Sequence, residues 1–234
     1  MIRLFLDTPF KPDQKISLSA PQSHYLTHVM RLKEGEEIIC FNGKQGDWIG
    51  LLEKQKKEYF FSPKKQITAQ QTRSDCILCM SLIKRDPLAL TLQKATELGV
   101  TQIHLIQADR SNSERVNMER LYAIIVEACE QCERNDIPTI FAPISLDKKI
   151  EELRLKAQPV WLSERGTTSG QMGKLPPAFF VGPEGGWSNR EQTLFKQVSA
   201  LSWHLGNTIL RAETAAITAL ALWQYKSEIK TLAI

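Results

Sequence analysis

Up to about residue 70, the hydrophobic positions come in short runs parted by polar turns: Ile2–Leu6, Lys15–Leu18, Glu37–Phe41, Trp48–Leu52 and Glu58–Phe61. Each run predicts a short strand. Asn42-Gly43, in the loop that ends at Gly46, marks a hairpin between two of them. One stretch of helical period, His24–Arg31, interrupts the strands, with Ser23 as a candidate N-cap. This pattern predicts a small β-barrel over residues 1–70, followed by a polar linker at Thr68–Asp75 that has no periodicity. From residue 76 the pattern changes. Strand-like runs at Cys76–Ile83, Ile103–Gln107, Thr139–Phe141, Val160–Ser163, Ala178–Val181 and Trp203–Leu205 alternate with helical stretches at Pro87–Leu98, Asn117–Arg134, Leu146–Leu155, Asn189–Val198 and Ala212–Glu228. Such alternation predicts an α/β domain over residues 72–234 with a mainly parallel sheet.

Two of these strand-to-helix junctions are rich in glycine: Phe180-Val181-Gly182-Pro183-Glu184-Gly185-Gly186, and Leu205-Gly206-Asn207-Thr208-Ile209-Leu210-Arg211 running into Ala212–Ala215. Glycine removes the side chain where a ligand approaches backbone, and Pro183 stiffens the turn. Ser188-Asn189-Arg190-Glu191 is a capping-box pattern, so a helix should start just after the first loop. Two such loops opening on one sheet edge predict a ligand pocket. Neither is a phosphate cradle: Gly173-Lys174 is followed by Leu175, and no G-x-G-x-x-G follows the first strand of the domain.

Composition narrows the class. The chain is 42% hydrophobic and 24% charged over 234 residues, which is ordinary globular material. No apolar run reaches the roughly 18 residues of a membrane span, and Arg3 and Asp7 interrupt the N-terminus too early for a secretory signal, so a cytoplasmic protein with no membrane partner is expected. The formal charge of +4 is concentrated in the first third of the chain, a weak pointer to a polyanionic partner. Cys76-x-x-Cys79 and Cys129-x-x-Cys132 imitate a zinc site. Residues three apart on a strand point to opposite faces, and Cys132 continues the apolar stripe Leu121, Ile125, Ala128 of a helix, so core cysteines and no metal are expected. His24, His104 and His204 lack metal-ligand spacing and are expected to be packed or surface residues.

The segments Gly182-Pro183-Glu184-Gly185-Gly186 and Leu205-Gly206-x-x-Ile209-Leu210-Arg211-x-Glu213-Thr214-Ala215 resemble the cofactor loops of SPOUT-class methyltransferases, which bind S-adenosylmethionine in a C-terminal trefoil knot. Within that class, the chain is most similar to the bacterial family that methylates N3 of uridine 1498 in 16S rRNA of the small ribosomal subunit. Ser81–Asp86, Gln93–Val100, Glu127-Ala128-x-Glu130-Gln131-x-x-Arg134-x-x-Ile137-Pro138 and the early His28–Gly35 extend the resemblance along nearly the whole chain, with Met30 where leucine is usual and Cys132-Glu133 where small residues are usual. It implies a knotted SPOUT domain behind a PUA-like barrel, and a homodimer acting on 16S rRNA or the small ribosomal subunit.

The resemblance also implies the site. Leu162, Ser163, Val181, Gly182, Pro183, Glu184, Gly185, Gly186, Leu205, Gly206, Ile209, Leu210, Arg211, Thr214 and Ala215 would bind S-adenosylmethionine. Arg3, His28, Arg31, Lys33, Lys84, Arg85, Lys94 and Arg134 would meet RNA. Taken alone, Lys84-Arg85-Asp86 is equally a solvated turn. Uracil N3 carries a weakly acidic proton, and charge develops on the base as that proton leaves, so a fixed cation beside it would help. Arg211 is the candidate, though it could instead cap a helix or pair with Glu213. Arginine stays charged, so the proton acceptor would be Glu184, Glu213 or water. The same loops would also suit ribose 2′-hydroxyl methylation of tRNA or 23S rRNA, or a non-catalytic RNA-binding protein.

Overall fold

The computed structural model describes residues 1–112, 115–165 and 168–232. They form two compact units, Met1–Thr72 with Cys129–Ile137, and Arg73–Ala128 with Pro138–Ile234.

The first unit is a mixed, curled half-barrel of β1 (Arg3–Phe5), β2 (Ile16–Ser17), β3 (Glu37–Phe41), β4 (Asp47–Gln55) and β5 (Glu58–Thr68), in the order β1-β3-β4-β5-β2. Only the β1–β3 pair is parallel. Inward residues Leu4, Phe10, Leu26, Ile38, Leu52 and Phe61 build its core. The helix differs from expectation: α1 (Ala20–His24) starts earlier and passes into a π-helical turn, Tyr25–Val29. Its cap is Ser19, whose hydroxyl accepts the Gln22 N–H while the Gln22 side chain accepts the Ser19 N–H. Ala20-Pro21 tolerates missing amide partners in a first turn. Ser23 therefore lies inside the helix, its N–H bonded to the Ser19 carbonyl at 2.9 Å.

Residues 129–137 complete this unit with buried polar contacts. Arg3 Nη2 pairs with Asp47 Oδ1 at 2.9 Å and also donates to the Arg134 carbonyl at 3.3 Å. Arg134 pairs with Asp136 at 2.7 Å, and Asn135 donates to the Ala69 carbonyl at 3.1 Å. Arg3 and Arg134 are thus 9% and 2% exposed. This corrects their expected role as phosphate contacts, because a buried guanidinium keeps its paired carboxylate rather than reaching for solvent.

The second unit holds an all-parallel sheet of β6 (Ile77–Ser81), β7 (Gln102–Gln107), β8 (Thr139–Ser145), β9 (Gln158–Leu162), β10 (Pro177–Val181) and β11 (Leu201–Trp203), in the order β11-β9-β10-β6-β7-β8. The helices are α2 (Arg85–Glu97), α3 (Met118–Gln131), α4 (Leu146–Leu153), α5 (Asn189–Gln197) and α6 (Ala212–Leu232). The two central strands, β6 and β10, are buried at every position. That is how a parallel strand covered on both faces should look. Leu146 and Ile150 of α4 and Phe195 of α5 join one side of the core. Elsewhere α6 packs on α2 and β10 through the stripe Ala212, Ala216, Ala219, Leu220, whose small residues permit close approach.

Cys40, Cys76, Cys79 and Cys129 are buried and unbridged, and Cys132 is exposed. Burial raises the thiol pKa of Cys40 and Cys79, and pushes that of Cys129 up to about 12. Among the described residues no group of three or more His, Cys, Asp or Glu could hold a metal, and no helix is long and apolar enough to cross a membrane.

Candidate active site

Because the sheet is parallel, the loops after β9, β10 and β11 all leave the same edge. There they enclose a cleft of about 220 Å³. The β10 loop is held from beneath by aromatic rings. Phe195 of α5 stacks on Trp161 at 5.3 Å and meets Trp187 edge-on at 5.0 Å, each such pair contributing about 1 kcal/mol beyond its buried area. Trp187 in turn lies against Gly182, where an added Cβ would sit 3.1 Å from the indole, and its buried Nε1 has no hydrogen-bond partner among the described residues. The turn closes with the Gly186 N–H on the Pro183 carbonyl at 2.9 Å, with Gly186 at φ +66°.

The loop after β7 fixes the same segment from the side. Arg110 Nη1 donates to the Gly185 carbonyl at 2.7 Å. Fully buried Glu191 accepts the Asp109 N–H and the Ser188 N–H, each at 2.8 Å, while Asp109 pairs with Arg190 at 2.9 Å. Hydrogen bonds from Arg190 and Ser188 hold the Asp109 carboxyl below its usual pKa. Ser188 caps α5 in the expected box with Glu191.

On the other side of the cleft, the Ser163 N–H bonds the Trp203 carbonyl at 2.9 Å. His204 Nδ1 lies 3.3 Å from the Ser163 carbonyl, which ties the β9 and β11 loops together. Ile209 is 60% exposed and offers an apolar wall. Arg211 precedes α6, with its carbonyl accepting the Ala215 N–H at 2.8 Å. Its exposed guanidinium borders the cleft and makes no hydrogen bond or ion pair among the described residues, so the alternative pairing with Glu213 does not form.

Most of the residues expected around a cofactor line this cleft, including Leu162, Ser163, Val181, Gly182, Pro183, Glu184, Gly186, Leu205, Gly206, Ile209, Leu210, Arg211 and Ala215. Gly185, Glu213 and Thr214 do not. Gly185 faces Arg110, and Thr214 points to solvent from α6. Thr208, inside the second expected loop, lines the cleft too, whereas sequence reasoning missed Glu164, Trp187, His204 and Ala212. Only Trp187, directly after a glycine pair, carried a usable signal. Glu184 is exposed and accepts the Lys84 N–H at 3.3 Å. Lys84 and Arg85 are exposed, as are His28, Arg31 and Lys33 in the first unit, whereas Lys94 pairs with Glu97 at 2.8 Å.

Known proteins resemble the chain over nearly its whole length. The RNA methyltransferase domain matches residues 70–224, and the RNA methyltransferase PUA domain matches residues 18–64. Ribosomal RNA small subunit methyltransferase E of Rickettsia conorii is 34% identical over 94% of this chain and 93% of its own. The protein of that name from Bacillus subtilis is 26% identical over 91% of each. Among solved structures, ribosomal RNA small subunit methyltransferase E of Neisseria gonorrhoeae, bound to S-adenosyl methionine, superposes with a TM-score of 0.84 at 26% identity, covering 97% of this chain and 98% of that one. A Legionella pneumophila protein with bound SAM gives 0.86 at 28% identity, covering 96% and 97%. With both domain matches in this order along the chain, and a relative 34% identical over 94% of it, the chain belongs to the RNA methyltransferase family that carries this domain behind a PUA domain.

Proposed function

We propose that the protein transfers the methyl group of S-adenosylmethionine to N3 of uridine 1498 in 16S rRNA, as a cytoplasmic homodimer whose C-terminal segment is threaded as a trefoil knot. The observation that carries this reading is the convergence of three backbone-rich loops on one cleft, with the Arg211 guanidinium, unpaired among the described residues, at its border. Relatives along more than nine-tenths of the chain are named small-subunit rRNA methyltransferases, and two solved neighbours hold S-adenosylmethionine.

The residues fit that cofactor. Gly182 lets the Trp187 indole close beneath the loop and Gly186 leaves room for the Glu164 carboxylate at the cleft, while Ile209 and Leu210 supply apolar surface and loop backbone supplies hydrogen bonds for an adenine edge. Bound there, S-adenosylmethionine supplies an electrophilic methyl on a sulfonium. Arg211 stabilises the charge that spreads onto the uracil oxygens as N3 loses its proton. Glu184 borders the cleft and has one carboxylate oxygen free of the Lys84 amide, so it is the proton acceptor in this reading. RNA phosphates meet His28, Arg31 and Lys33 of a barrel domain, 1–70, and Lys84 and Arg85 of a catalytic domain, 72–234. Lys94 contributes less because Glu97 already neutralises it.

Mass mapping of rRNA nucleosides, after incubation with the protein and labelled cofactor, tests the proposal. Label on N3 of one small-subunit uridine is expected. Label on ribose, or only on tRNA, would sink the acceptor while leaving methyl transfer standing. Arg211→Ala should slow transfer about a hundredfold with the fold intact, the scale of losing one charge-stabilising donor.

A further inference from the structure

Glu164 ends the β9 strand region, two residues after Leu162, and its side chain leans over the glycine loop of β10. A Cβ built on Gly186 would lie 2.7 Å from Glu164 Oε1 and 3.4 Å from its carboxyl carbon. The residue is exposed and lines the cleft, and among the described residues its carboxylate makes no hydrogen bond or ion pair. The neighbouring acids differ. Glu191 is buried on two backbone amides, Asp109 is held by Arg190 and Ser188, and Glu184 takes the Lys84 amide. Glu213 does not reach the cleft.

A carboxylate is an acceptor with room for two donors side by side. Poised against loop backbone at a nucleoside-sized cleft, it matches the adjacent hydroxyls of a ribose, the same pairing by which acidic residues hold a dinucleotide ribose on other folds. It stands on the β10 side of the cleft, whereas Arg211 enters from the β11 side. We infer that Glu164 binds the ribose diol of the cofactor, and so sets the affinity for the nucleoside part of the molecule rather than for its transferable methyl. This rests on the S-adenosylmethionine reading above.

Calorimetry on the full chain tests it with S-adenosylmethionine, S-adenosylhomocysteine and the 2′-deoxy analogue of the latter. Glu164→Ala should weaken the first two equally, by about tenfold, the scale of one hydrogen bond to a charged group. The penalty for removing the 2′-hydroxyl should be present in the natural protein and absent in this variant. Glu164→Gln, which keeps the shape and one acceptor oxygen, should fall between. Unchanged affinity in both variants would overturn the assignment. So would a loss confined to S-adenosylmethionine, since that would mean the carboxylate reads the sulfonium charge. If the natural protein bound neither nucleoside, with or without RNA, the cofactor reading itself would fall.

Discussion

His104 illustrates how one side chain can set a pH limit on the fold. It lies on β7, 3% exposed, stacked on Phe141 at 4.3 Å, with Nδ1 buried and unpartnered among the described residues. Burial, helped by the Lys149 cation and opposed by Glu152, lowers its pKa to about 4. The unfolded chain takes up that proton near pH 6.5, so between these values the unfolded state binds more protons and stability falls as the pH falls. Urea titrations should show a loss of about 3 kcal/mol from pH 7 to pH 4, and His104→Phe should remove most of that slope. Sequence alone left this histidine as a packed or surface residue, since it lacks metal-ligand spacing, and the structure makes it packed. His204 is half-buried, as that reading allows, but its place on the cleft was not legible, because its neighbour there, Ser163, is 41 residues away along the chain.

Among the elements, the start of α5 was legible to the residue, and its end to within one. The Ser188-to-Glu191 spacing announces its own cap, and the structure forms it. Ser188→Ala should cost about 1 kcal/mol in urea denaturation, the usual loss for a helix cap. It should also weaken cofactor binding, because Ser188 and Asp109 together anchor the end of the glycine loop. Other elements hid their extent. β5 runs on to Thr68, past Pro63 and through Lys64-Lys65-Gln66, residues that read as loop; two register shifts against β4 accommodate that stretch. β8 likewise continues through Pro143, which an edge strand tolerates. The Ser19 cap was masked by Ser23, which has the same chemistry four residues on.

Across the whole molecule, alternation of strand and helix made the parallel sheet readable. Its strand order was not, because order depends on which strands meet in space. Nor does any local signal mark residues 129–137 as part of the first unit. Asn135 makes that membership testable, since its side chain bonds the Ala69 carbonyl, the Gln71 N–H and Asp47. Asn135→Ala should destabilise the first unit by about 2 kcal/mol, the scale of leaving buried partners unsatisfied. Hydrogen exchange should show it as loss of protection in β3–β5, with β6 and β10 unaffected.

The same arrangement has a consequence for biosynthesis. As the ribosome releases the chain from its N-terminus, β1 to β5 emerge long before the segment that accepts the Phe5 N–H through Glu130 and holds Asp47 through Asn135. Domains usually settle in order of synthesis. Here the earliest strands must wait, with Arg3 and Asp47 still without their full set of partners, until about 65 further residues have been made. Pulse proteolysis of stalled nascent chains would reveal the delay as protection of the half-barrel that appears only once residue 137 has cleared the exit tunnel.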